Sequence, residues 1–231
     1  MNLRLTKSTV LIFTYIFAMF LLPYLSCQLL AKICTSEIDI QVYANLISYL
    51  VLVVVSLLFF GSELSKQFKQ IVSAKHFIKH IFIGWLLLFI SSYIASFLII
   101  FFTQSSDSSS NQQVITDLMA FHPILMGGMT ILCAPLVEEV VFRLTVMRGL
   151  LKYPWIAILL SSFLFGLIHV ISSLFIGDFA DCIYIIQYMA MGCALGYVYY
   201  RHQNIWYSIG VHAIQNTLST VMVILLSLLT A

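Results

Sequence analysis

Charge is what this 231-residue chain has least of: Asp, Glu, Lys and Arg make up 9% of it, against about a quarter of an ordinary globular domain. So few charges cannot cover a soluble surface, and with 61% hydrophobic residues the chain reads as a membrane protein. Eleven Lys and Arg against nine Asp and Glu give a net charge of +2, which leaves no basic stripe for nucleic acid and no acidic tail. Partners are therefore sought among membrane lipids and membrane-associated proteins or peptides. The five cysteines (Cys27, Cys34, Cys133, Cys182, Cys193) are odd in number and lack CxxC spacing, which excludes a disulfide scaffold and leaves small apolar fillers.

Other absences narrow the chemistry. There is no internal repeat, which disfavours a transporter built from inverted halves. There is no His-Glu-x-x-His, no Gly-x-Ser-x-Gly elbow and no Gly-x-Gly-Asp, the marks of other membrane-embedded and serine hydrolases. The apolar run after Arg4 and Lys7 continues to about Ala31 without a small-x-small cleavage site, so it reads as a retained first span. Tyr24 stands where a lipoprotein site wants a small aliphatic residue.

What is present is length of apolar run. About 20 apolar residues cross the hydrocarbon, and such stretches fall at about 8–31, 40–62, 78–103, 122–147, 154–176, 183–200 and 204–230. The expected fold is an all-α polytopic bundle of seven transmembrane helices around a cavity, or eight if the last breaks at Gln215-Asn216-Thr217. Arg4, Lys7, Lys66, Lys69, Lys75, Lys79, Arg148, Lys152 and Arg201 lie at alternate ends of consecutive spans. Positive loops stay inside, so the N-terminus and the segment Glu63–Lys79 are expected in the cytoplasm, and Ser105–Gln113 and the C-terminus outside. Short loops and a compact chain suggest a bacterial plasma membrane. The stretch SSDSSSNQQ at 105–113 is an external polar loop. It divides a three-span scaffold (1–112) from a four-span core (113–231).

All the expensive residues lie in the core. Glu138, Glu139 and Arg143 sit in ILCAPLVEEVVFRLTVM, where each charge costs roughly 2.5–3.5 kcal/mol near a helix centre. Glu139 and Arg143 are four apart and can pair on one face, while Glu138 points about 100° away and is left free. Pro135 withholds a backbone donor just upstream, so a kink or opening is expected there. A bland alternative makes this trio an interfacial salt-bridge cluster. His169 follows Phe165 by one turn in the fifth run, and His212 precedes Asn216 by one turn in the last. Together these groups suit the activation of a water molecule: Glu138 as general base, His212 and Asn216 as donors to an oxyanion. The same side chains offer a second chemistry, with Glu138, His169 and His212 as three zinc ligands and water as the fourth. The metal-free form is favoured, since adjacent glutamates with an arginine on the same helix are an unusual setting for a dication.

Glu138-Glu139-x-x-x-Arg143, Phe165-x-x-x-His169 and His212-x-x-x-Asn216 resemble, in order, the three motifs of the CPBP family of intramembrane endopeptidases. That family includes the CAAX prenyl protease of the Ras-converting type and bacterial homologues linked to bacteriocin immunity, peptide processing and signalling. The resemblance covers about residues 115–231. It implies a helical core around a water-filled cavity open to the cytoplasm, with Glu138 activating water and His169 assisting. It makes His212 and Asn216 the oxyanion donors, and Glu139 and Arg143 the groups that organise the site. The competing reading is a non-proteolytic membrane regulator or immunity protein that binds a signalling partner, for which four such groups serve no purpose. Asp178 reads as a solvated loop acid, His76, His80 and His202 as solvated basic-segment residues, and His122 as a helix-entry residue.

Overall fold

A computed structural model describes residues 3–230; the two chain ends, to which the charge pattern assigns sides, lie outside the described residues. Among the described residues every regular element is helical. Seven helices are long and apolar enough to cross a membrane: span 1 (Leu5–Leu30), span 2 (Glu37–Lys69), span 3 (Ala74–Thr103), span 4 (Pro123–Leu150), span 5 (Pro154–Ile176), span 6 (Asp181–His202) and span 7 (Ile205–Leu229). The protein is an integral membrane helical bundle. The last span does not break at Gln215–Thr217, so the count among the described residues is seven.

One helix departs from the expectation. Ser110–Phe121 begins inside the stretch expected to be polar loop as far as Gln113, and the 112/113 division falls within it. Its start is explicable: the Ser109 hydroxyl accepts from the Gln112 amide at 3.2 Å, and Ser-x-x-Gln is a helix-start signature. A polar composition masks an amphipathic helix whose Leu118 and Met119 are buried.

Span 4 is the axis of the bundle. In its most apolar window 56% of residues are buried, against 17–39% in the other six spans. Its ends are pinned. At one end His122 meets Asp39 at 2.6 Å, and at the other Arg148 donates to Glu63 at 2.9 Å. Span 7 is anchored at its start by Gln67, whose amide oxygen accepts from the Ile205 N–H at 2.7 Å while its backbone carbonyl accepts from Asn204 at 2.7 Å. Spans 5 and 6 run close together because Gly192 lies against Ser162: a side-chain carbon built on Gly192 would stand 2.9 Å from the Ser162 Cα. That approach brings His169 of span 5 beside Tyr188 of span 6.

Candidate active site

Span 4 is not a regular α-helix. It is α-helical at Pro123–Gly128 and Ala134–Glu139, with wider π turns at Met129–Cys133 between them and at Val140–Val146 after the second. Wide turns of this kind concentrate at functional sites, and these two bracket Glu138 and Glu139. The local opening expected at Pro135 is present and has a direct cause. In the first π turn the Ala134 N–H reaches the Met129 carbonyl. The next donor in that pattern would be residue 135, and proline has none. The orphaned Thr130 carbonyl is met instead by the Asn216 side chain, whose amide nitrogen donates to it at 2.8 Å.

The two glutamates take different environments, as their rotation on the helix requires. Glu139 and Arg143 are wholly buried and paired at 3.0 Å (Nε to Oε2). The other Glu139 oxygen faces His212 Nδ1 at 3.2 Å. Arg143 donates from Nη1 to the Ser161 hydroxyl at 2.5 Å, and Ser161 in turn donates to the Phe142 carbonyl at 3.0 Å. The guanidinium also lies 5.8 Å from the Phe165 ring centre, within cation–π range. Glu138 is different. Among the described residues no group donates a hydrogen bond to it, and its nearest charged-type partner is His212 Nε2 at 3.8 Å, a gap too long for a direct bond. Buried charges are retained where they are paired or functional, and Glu139 and Arg143 satisfy the first condition while Glu138 is the unpaired carboxylate.

Phe165 ties the motifs together. Its ring meets His169 at 4.6 Å, Phe142 at 5.4 Å edge-on and His212 at 5.9 Å edge-on. His169 gives its Nδ1 proton to the Phe165 carbonyl, with Nδ1 at 2.7 Å, and stacks on Tyr188 at 4.3 Å between ring centres. Nε2 of His169 thereby becomes the acceptor nitrogen. Glu138, His169, His212 and Asn216 all line one cavity of about 790 Å³. The structure thus brings the sequence-derived residues of spans 4, 5 and 7 to one place.

Four contributors escape the sequence reading. Ser161 shares a face with Phe165 and His169 at spacings of four, a signal that could have found it. Tyr15, Tyr49 and Tyr188, which also line the cavity, carry no local signal, because only the tertiary fold brings spans 1, 2 and 6 beside span 4. Asp181 stands where the sequence presents a short external loop, yet it is 6% exposed and accepts from the Ser110 amide at 2.8 Å and the Ser173 hydroxyl at 2.6 Å.

The zinc alternative meets an obstacle in the donor set. Among the described residues no three His, Cys, Asp or Glu side chains gather closely enough to share a metal ion. The obstacle is this spacing and not the nitrogens, since Nδ1 of each histidine is held, by the Phe165 carbonyl and by Glu139, and Nε2 is left free as in a metal-ligating histidine. As placed, Glu138, His169 and His212 do not form a zinc ligand set.

A buried carboxylate without a hydrogen-bond donor, two imidazoles and a cavity among membrane helices could together activate a water molecule. Residues 120–218 match the Rce1-like family of type II CAAX prenyl endopeptidases. The matched segment holds every motif residue from Glu138 to Asn216, and the resemblance read from them is borne out. The chain is also 30% identical over 116 residues to a protein of Bacillus subtilis (strain 168) described as "Putative membrane peptidase YdiL", covering 49% of this chain and 43% of that relative. The match thus spans under half of the relative's length. No solved structure matches.

Proposed function

We propose that this chain is an intramembrane endopeptidase that hydrolyses a peptide bond of a membrane-associated protein or peptide with a water activated by Glu138. One observation carries the reading: of the two adjacent buried glutamates, Glu139 is saturated by Arg143 and His212, while Glu138, on the wall of the cavity, accepts no hydrogen bond from the described residues and has His212 Nε2 3.8 Å away. The similarity to CAAX prenyl endopeptidases and to a membrane peptidase supports it.

In this mechanism a water held between Glu138 and the free Nε2 of His169 gives its proton to Glu138 as its oxygen adds to the peptide carbonyl. His212 donates from Nε2 to the oxyanion that forms. Glu139, at its Nδ1, supplies the counter-charge that lets both nitrogens carry protons. Asn216 has one amide hydrogen engaged by Thr130 and a second left for the same oxyanion. Glu138 then returns its proton to the leaving amine nitrogen, the C–N bond breaks, and an acid and an amine result.

The test is cleavage of quenched fluorogenic peptides by purified protein in lipid nanodiscs. Product that disappears in Glu138→Gln supports the proposal. A Glu138→Gln variant that keeps full biological activity would replace it with the partner-binding reading.

A further inference from the structure

The cavity has a direction. Its deep end is Glu138 and His212, and its outer wall is built by Ser106, Asp107, Ser108 and Asn111 of the loop and short helix after span 3, with Tyr184 and Gln187 at the start of span 6. No lining residue comes from 60–91, 141–164 or 192–211, the parts of spans 2 to 7 at the opposite end. That end is plugged by Phe142, Leu144, Met147, Tyr199 and Ile205, each at most 4% exposed.

The plugged end is also the basic one. Lys66, Lys69, Lys75, Lys79, Arg148 and Arg201 lie there, whereas the mouth end carries Asp39, Asp107, Asp117, Asp178 and Asp181. By the distribution of positive charge the mouth faces away from the cytoplasm. This conflicts with the cytoplasmic opening that the family resemblance implies, and the two expectations cannot both hold.

Spans 3 and 7 set the shape of the entrance. They start together at the basic end, where Gly84 packs so close to span 7 that an added side-chain carbon would stand 2.8 Å from Val211. Trp85 donates to Gln215 one turn further on, at 3.2 Å. Towards the mouth both helices instead contribute cavity wall, Ser92 and Ser96 from one and Ser219 and Ser227 from the other. The cavity separates them. Its lining is rich in hydroxyl and amide side chains and contains no Lys or Arg; Asp107 stands at the mouth, and the deep end sets Glu138 beside His212. Such a wall hydrogen-bonds an extended backbone and sets up a potential that repels acidic segments.

We propose that substrate reaches Glu138 from the non-cytoplasmic face, between spans 3 and 7 beneath the 105–109 loop, as an extended neutral or cationic peptide segment. The proposal rests on the protease reading for its chemistry, but the side of the mouth does not.

Two measurements separate these. In a cysteine-free background treated with a membrane-impermeant maleimide, Ser108→Cys and Gln187→Cys should label in intact cells, and Gln70→Cys only after permeabilisation. Labelling of Gln187→Cys only from the Gln70 side, or from neither side, overturns the proposal. With fluorogenic peptides added to oriented vesicles, cleavage is expected in right-side-out preparations. Lys-containing peptides should be cut several-fold faster than Asp-containing ones at low salt, a ratio that Asp107→Lys reverses. Cleavage confined to inside-out vesicles overturns entry from this face and leaves the protease standing. No cleavage in either orientation overturns the protease reading, and the labelling then decides the side of the mouth by itself.

Discussion

Asn216 of span 7 completes a hydrogen bond that Pro135 of span 4 cannot make, by donating its side-chain amide to the Thr130 carbonyl at 2.8 Å. A buried carbonyl left without a donor costs about 1–3 kcal/mol. Asn216→Ala is therefore expected to lower the amount of folded protein as well as activity. Pro135→Ala restores an N–H at the position that needs one, so the double variant should recover abundance without recovering activity. Thermal aggregation of the four proteins in detergent measures the cycle; purely additive losses would show that the two residues are not coupled in this way.

Glu138 and Glu139 should respond in opposite ways to the same change. Glu138→Gln keeps the shape of an unpaired group and should lose about 100- to 10,000-fold in turnover, the range for a general base, at normal membrane abundance. His169→Ala should behave likewise. Glu139→Gln and Arg143→Ala strand a partner inside the bundle, a loss of about 3–5 kcal/mol for a broken buried pair. Those two should be scarce in the membrane whatever their activity, and immunoblots of membrane fractions beside peptide turnover check the split.

How much of the molecule is legible in its sequence depends on what each signal rests on. Long apolar runs fix spans whatever their neighbours, so all seven appear, six within about four residues of their expected bounds and span 2 running seven residues further, to Lys69, on polar helix that the apolar run does not mark. The i, i+4 pairing of Glu139 with Arg143 is a property of one helix and is found as expected. The Tyr188 stack on His169 and the burial of Asp181 depend on spans 5 and 6 meeting the Ser110–Phe121 helix, which no single stretch encodes. Spacing to His212 makes Asn216 an expected oxyanion donor, but its bond to Thr130 depends on a π turn that the sequence marks only by Pro135.

Zinc removal offers a third measurement. If Glu138 activates water unaided, overnight treatment with a strong chelator should leave peptide cleavage within about twofold of the untreated protein. Loss of cleavage with chelator and its return with added zinc would mean that the site rearranges to gather Glu138, His169 and His212 around an ion.

The contact between spans 5 and 6 is open to test at Gly192. A methyl group there meets the backbone of Ser162, which cannot swing aside as a long side chain would. Gly192→Ala should cost about 1–3 kcal/mol through overpacking, and by moving Tyr188 off His169 should lower turnover beyond the loss of protein. Ala194→Gly on the same helix serves as the comparison, with loss of stability but a normal rate per folded molecule.

The pins at the two ends of span 4 give its wide turns a further meaning. With His122 held by Asp39 and Arg148 held by Glu63, the number of residues between the anchors is set against a fixed length. A π turn accommodates an additional residue within a helix. Deleting one residue from Met129–Cys133 would close that turn towards an ordinary α turn and take the Thr130 carbonyl out of reach of the Asn216 amide. Span 4 should accept many exchanges of one apolar residue for another and almost no change in length, so that related chains built this way would differ in composition here while keeping the same count.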